Sequence, residues 1–312
     1  MYPFKFDHIY FETVWGGRSM ESFREDLPEG SIGESWDISC HDHGNNIIIN
    51  GKYKGMSLQN LIGKYPKEVL GKKLNDSEFP LHVSMLDAVE NLSVQVHPSD
   101  DFALKMEGEQ GKAEAWYILD CSENATLIAG LKPCTLNQVK NAINSNSLQP
   151  LLNKVEVKKG DLLLIPSGMV HALGKGIVAL EISQNSDTTY RVFDYDRGRE
   201  LHIDKALQVI DPDLKVINCI GEPETNDYYT INHRLKSEKF NIDTIEIKTN
   251  YEAVSNKDMF FTFTCVSGFG QLQFNEGMFP VHNGDSILIP ASAGAFNFIG
   301  EMSLVKSYIS EI

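Results

Sequence analysis

The heptapeptide GDLLLIP at Gly160–Pro166 returns as GDSILIP at Gly284–Pro290. Each copy follows a strand-like segment and leads into a turn of small residues, PSG in the first and PASAG in the second. A Gly–Asp turn feeding a short apolar run that stops at proline reads as a hairpin ending in a buried strand. Its recurrence in short-strand context predicts two β-sandwich or jelly-roll units. His171 stands five residues past the first proline, and Ala295 occupies the same place after the second. Chemistry is therefore expected in the first unit, with the second as a packing module.

At 312 residues and 42% hydrophobic content, the chain can fill two domains or one large composite. Twenty-eight basic against 43 acidic residues give a formal charge of −15 and a pI near 5.0. Such a surface repels nucleic acid and anionic membranes, so neither is an expected partner. No apolar run approaches 18 residues, and residues 1–20 carry Asp7, Glu12 and Trp15, unlike a signal peptide. Five cysteines without CxxC spacing read as reduced thiols of a cytoplasmic protein.

Within the first half, LSVQVHP at Leu92–Pro98 puts Gln95 and His97 on one face of a strand and Val94 and Val96 on the other. Glu114, in GKAEAW, and His171, in IPSGMVHALGKG, follow downstream. An amide oxygen, a carboxylate and two imidazoles can together hold zinc or a similar divalent ion. CHDH at Cys40–His43 is too compact to face one ion and reads as a turn. Neither GxGxxG nor GxxxxGK[ST] occurs, so no nucleotide-phosphate loop is expected.

Several helices are expected between the strands. Ser57 opens one with Leu58, Leu61, Ile62 and Tyr65 on one face, interrupted at Pro66, and KEVLGKKL continues as a second. Ser99 or Asp100 caps another through about Glu107. Thr135 and Gln138 make a capping box, and HIDKALQVID forms a surface helix ended by Asp211–Pro212. Trp15 and Trp36 are expected in the core. In IVALEIS, Glu181 faces away from Val178, Leu180 and Ile182, as ready for water as for a site. Arg191 lies on a strand, to pair with Asp187 or Asp194 or to serve in catalysis. His202, His233 and His282 are expected at the surface.

LSVQVHPSD, GKAEAWYILD, GDLLLIPSGMVHALGKG and NSDTTYRVFDYDR, in that order, resemble the short bacterial class I mannose-6-phosphate isomerases, which are zinc-dependent cupins. The similarity runs from VWGG near Trp15 to about Ile210 and is weaker beyond. It implies a mainly β fold of two cupin-type jelly-roll sandwiches with a few inserted helices. Residues 1–210 would form the catalytic unit, and 211–312 a cupin-like unit without metal ligands. It implies Gln95, His97, Glu114 and His171 as ligands of one Zn2+, Lys112 and Arg191 as substrate-binding and catalytic residues, and Glu181 as an active-site carboxylate. One position departs: the family carries lysine in the strand before QVH, whereas LHVSMLDA has Ser84, with His82 two residues away on the same face.

Aldose–ketose isomerisation moves a proton between C1 and C2 through a cis-enediol or enediolate. Arg191 is permanently charged and suits an anion, Lys112 adds a second cation, and Glu181 is the candidate base. The expected activity is interconversion of mannose 6-phosphate and fructose 6-phosphate by a cytoplasmic monomer or homodimer whose partner is a small sugar phosphate. The alternatives are a sugar-phosphate-binding cupin without catalysis and, from the same scaffold, a metal-dependent oxygenase.

Overall fold

The computed structural model describes residues 1–74 and 78–310. It is built mainly of antiparallel strands, with short helices confined to the connections. The two GD–apolar–IP segments fold alike. Gly160 and Gly284 both take positive φ, 86° and 92°, a conformation that glycine adopts without strain. In each turn the following aspartate accepts the backbone N–H three residues back: Lys158 N–H to Asp161 at 3.0 Å, and His282 N–H to Asp285 at 2.7 Å. The strands they feed, Leu162–Ile165 and Ser286–Ile289, are followed by the same turn, Met169 N–H to Pro166 O and Ala293 N–H to Pro290 O. His171 and Ala295 then each begin the next strand.

In the first unit a seven-stranded sheet faces a five-stranded one. The first contains Leu81–Ala88, Glu114–Cys121 and Ile177–Gln184, and the second contains Val94–Val96, His171–Ala172 and Tyr190–Phe193. Between them lies an apolar cluster around Trp15, Leu86, Trp116, Ile118, Leu127 and Ala179. The outer face of the five-stranded sheet packs against the helices Leu136–Asn144 and Ile203–Val209, burying Val94, Val96, Val139, Ile143 and Ala206. The outer face of the seven-stranded sheet meets the helices Leu58–Lys64 and Pro66–Leu70 together with Phe240, Phe260 and Leu288 of the second unit. Burial on both faces removes both sets of side chains from water, the main stabilising term in such a sandwich.

The second unit is a nine-stranded sheet assembly around Phe263, Leu272, Val281, Phe296 and Phe298, an apolar interior. The N-terminal strand Phe4–Lys5 pairs with Ser286–Ile289, and the buried Arg24–Asp37 pair also receives Ser286 Oγ–H, so the two sandwiches share hydrogen bonds as well as a core.

The local signals hold at several helix starts. The Ser57 side chain caps Leu58–Lys64, and the Thr135–Gln138 capping box is complete. Trp15 and Trp36 are buried as expected. Pro66 opens the second helix at its first turn, but that helix stops at Leu70 instead of running through KEVLGKKL. Gly71, at φ 96°, turns the chain so that Lys72 and Lys73 donate to the carbonyls of Lys257 and Asp258. Neither Ser99 nor Asp100 caps the helix Asp100–Met106 with its side chain. Asp100 is instead drawn to Gly111 N–H and Gln184 Nε2–H, both at 2.9 Å. Cys40–His41 and Gly44–Asn45 make a small two-stranded hairpin around the expected turn. All five cysteines are free, and no helix among the described residues is long and apolar enough to cross a membrane.

Candidate metal centre

Each sheet contributes one side of the site. Gln95 lies between His171 and Arg191 in the five-stranded ladder, paired in register with both. His97 follows at the end of the same strand, so the i and i+2 side chains project together. From the opposing sheet, Glu114 is in register with Ser183, and Glu181 with Trp116 on one side and Ser84 on the other. Gly111 lets the Lys112 segment pass close to the preceding helix, because a Cβ there would lie 2.5 Å from Asp100 N.

The four sequence-predicted ligands converge. His97 Nε2 and His171 Nε2 each lie 3.3 Å from a different oxygen of Glu114, and Gln95 Nε2 lies 3.4 Å from His171 Nε2. Ligands about 2.0–2.2 Å from a tetrahedral ion would be about 3.3–3.6 Å apart, so these contacts suit a divalent metal ion. Both Glu114 oxygens and His97 Nε2 are buried without a hydrogen-bond partner in the protein. Such groups are costly unless a cation or donor meets them.

The imidazole tautomers suit that role. His97 Nδ1 faces Thr188 O at 2.9 Å, and His171 Nδ1 faces Met169 O at 2.8 Å. A carbonyl only accepts, so both Nδ1 atoms carry the proton and both Nε2 lone pairs point inward. Burial lowers the His171 pKa to about 4, with Glu114 opposing, so the ring is neutral at physiological pH. A half-turn of the Gln95 amide would present Oε1 to the imidazoles and Nε2–H to Ser93 Oγ, which lies 3.4 Å from the amide.

Two of the other sequence-predicted residues adjoin this cluster. Lys112 Nζ is 2.9 Å from Glu181 Oε1 and 3.6 Å from Glu114 Oε2. Burial alone would weaken the Lys112 ammonium, but Glu181, Glu114 and Glu34 outweigh it and hold its pKa above the ordinary lysine value. Glu181 is buried, not water-facing, and its second oxygen accepts Trp116 Nε1–H at 3.1 Å. Burial, with the Glu114 charge added, raises its carboxyl pKa against the pull of Lys112. Arg191 pairs with neither Asp187 nor Asp194: its Nε–H donates to Ser93 Oγ (3.3 Å) and its Nη1–H to Glu200 O (2.8 Å). Through Ser93 it is two hydrogen-bond lengths from Gln95.

His202 is not simply a surface residue, since its Nδ1 accepts Arg191 N–H at 3.1 Å. His233 and His282 are exposed as expected, near Asp243 and Asp285. Ser84, Ser183 and His82 line the inner face beside the acids, and Ser84 Oγ, Ser183 Oγ and His82 Nε2 have no partner in the protein. His82 packs edge-on to Trp36, and burial holds its pKa well below 6.5, so it supplies no cation in place of the absent lysine.

Glu34 was missed by the sequence reading. It accepts Trp36 Nε1–H at 2.7 Å, and burial followed by the Glu181 charge raises its pKa to about 7. Its alternation with Trp36 in GESWDIS was the available signal.

Known proteins share this arrangement's sequence context. The family model for the type I phosphomannose isomerase catalytic domain matches residues 4–129, and that for the mannose-6-phosphate isomerase cupin domain matches residues 230–309. Mannose-6-phosphate isomerase ManA of Bacillus subtilis is 35% identical over 98% of this chain and 99% of its own. The mannose-6-phosphate isomerase of Streptococcus mutans is 32% identical over 96% of both. The crystal structure of the mannose 6-phosphate isomerase from Bacillus subtilis, 34% identical, superposes with a TM-score of 0.92 over 98% of this chain and 99% of that one. With two domain models matched in order and relatives aligned nearly end to end, the chain belongs to the type I mannose-6-phosphate isomerase family.

Proposed function

We propose that this protein is a zinc-dependent aldose–ketose isomerase that interconverts mannose 6-phosphate and fructose 6-phosphate through a cis-enediol(ate). The observation that carries the proposal is the buried His97–Glu114–His171 cluster, its oxygens lacking donors, with Lys112 and Glu181 directly beside it. A divalent cation held there by these residues and Gln95 would lend positive charge to the sugar's carbonyl and hydroxyl oxygens.

The chain's own groups supply the proton traffic. Ionised Glu181 takes the proton from C2 of the open-chain aldose. The C–H electron pair forms the C1–C2 double bond, and the carbonyl electrons move to O1. The O2 proton passes to O1, and as the O2 electrons form the C2 carbonyl the C1–C2 double-bond pair takes the proton back from Glu181 at C1, which gives the ketose and returns ionised Glu181. Lys112 stays an ammonium and meets the negative charge that develops on oxygen. Arg191, steered by Ser93 and the Glu200 carbonyl, takes the phosphate or the enediolate. In this reading residues 1–210 form the catalytic unit and 211–312 a stabilising one, consistent with the apolar interior of the latter. Free cysteines fit a cytoplasmic setting.

The test is a coupled assay with mannose 6-phosphate and with unphosphorylated mannose, on metal-stripped and zinc-restored protein. Turnover of the phosphate ester only after zinc is restored is the expected result. Full activity without metal, or binding of the ester without exchange of its C2 proton, would overturn the proposal.

A further inference from the structure

The Cys40–His43 run, set aside as a metal cluster, makes a series of hydrogen bonds that ends at the metal site. His43 N–H donates to His41 Nδ1 at 3.2 Å, which fixes the His41 proton on Nε2. That Nε2–H meets Glu109 Oε2 at 3.0 Å. The other Glu109 oxygen accepts the Thr188 hydroxyl. The Thr188 carbonyl in turn accepts His97 Nδ1–H at 2.9 Å. Neutral His41 completes every link, so the series does not depend on protonating it.

The same hairpin grips the loop just before Thr188. Asn185 Nδ2–H donates to Cys40 O, and His43 Nδ1 meets Asp187 Oδ2, both at 2.9 Å. The second pair is largely exposed and contributes little. The His41–Glu109 pair is more sheltered, with side-chain exposures of 13% and 26%. Nothing comparable stands behind His171, whose Nδ1–H bonds the carbonyl two residues back in its own turn. His97 thus takes its orientation from a carbonyl in a loop, and that loop is held through Thr188 by the Glu109 segment and the hairpin.

We propose that Glu109 and His41 are positioning residues for the isomerase. By anchoring the Thr188 hydroxyl they fix the peptide carbonyl that holds the His97 lone pair toward the metal. The inference rests on the reading that His97 is a metal ligand. Groups that orient a ligating histidine in this way are worth about 10–100-fold in metal affinity.

The discriminating pair is Thr188→Val, which keeps the shape and loses the hydroxyl, against Thr188→Ser, which keeps it. Zinc affinity is measured by competition with a chromogenic chelator on the full chain, alongside thermal unfolding of the metal-free protein. Thr188→Val is expected to bind zinc at least tenfold more weakly, with Thr188→Ser within about threefold of the parent. Glu109→Ala and His41→Ala should weaken zinc in the same direction, and adding either to Thr188→Val should cost little more, because all act on one series. Parental zinc affinity in Thr188→Val would overturn the inference. So would equal losses in Thr188→Val and Thr188→Ser that track the metal-free melting temperature. A parent chain that takes up no zinc overturns the functional reading itself.

Discussion

Glu114→Gln is the substitution that most directly interrogates the site. The change is nearly isosteric and removes one negative charge from a residue with no exposed surface. In the metal-free protein neither carboxylate oxygen has a hydrogen-bond donor to lose, but the change removes a charge that the two histidines and Lys112, 3.6 Å away, favour, so it should cost some stability. The new amide N–H can donate to an imidazole Nε2 now 3.3 Å away. With metal the loss is larger. Removing one charged partner from a buried ion contact costs about 3–5 kcal/mol, which weakens binding at least about a hundredfold.

Differential scanning calorimetry with and without zinc reads this out. Zinc at about 100 times the parent dissociation constant stabilises the parent by about 2.7 kcal/mol. At about 2–4 °C per kcal/mol for a chain of this order of size, that is a rise of about 5–10 °C. The variant at the same zinc concentration gains less than about 0.5 kcal/mol, a rise of about 1 °C. Its metal-free melting temperature should lie below the parent's, so the zinc-dependent rise of each protein over its own metal-free value carries the comparison. If Glu114→Gln keeps half or more of the zinc-dependent rise, Glu114 does not face the cation and the ligand set is wrong.

Three further outcomes follow from other parts of the molecule. Glu34 has a folded-state pKa of about 7, above its ordinary 4.5, so the unfolded chain ionises first as pH rises between those values. Its contribution is present below about pH 4.5 and lost through pH 7. Glu34→Gln should therefore raise the unfolding free energy of the metal-free protein, measured in urea, by on the order of 2 kcal/mol at pH 8 and leave it nearly unchanged at pH 4.5, and an equal effect at both refutes the assignment. Ser84→Ala removes a buried hydroxyl with no partner in the protein and should stabilise the metal-free chain by about 1 kcal/mol, whereas a lower melting temperature would show the hydroxyl is satisfied. Asp37 accepts Arg24 Nη2–H at 2.5 Å, Ser35 Oγ–H at 2.8 Å and Ser286 Oγ–H at 2.9 Å, so Asp37→Ala strands a buried guanidinium at the junction of the two sandwiches. It should cost about 3–5 kcal/mol in urea unfolding, and a loss under about 1 kcal/mol would refute that role.

What was legible in the chain was whatever depends on residues close in sequence. The twin GD turns could be read because glycine, aspartate and the apolar run act within seven residues, and the structure repeats them bond for bond. The capping box at Thr135 and the shared face of Gln95 and His97 are equally local. Glu181 shows where that legibility stops. Alternation correctly set it opposite Val178, Leu180 and Ile182 but left water and protein as equal possibilities for its face. In a sandwich both faces of a strand are buried: the apolar residues meet the helices and the second unit, and Glu181, on the inner face, meets Lys112 and Trp116. Period-two patterning says which side chains share a face and is silent about what that face meets. Arg191 makes the same point across strands. Its acidic neighbours in sequence suggested a partner, yet register against Val94–Val96 gave it Ser93 instead. Glu109 and Thr188 lie beyond any pattern, because each matters only through a loop that returns from a different strand to the end of the QVH segment. Ligands could thus be named from strand alternation and motif, while the residues that aim them depend on loop packing that no single stretch encodes.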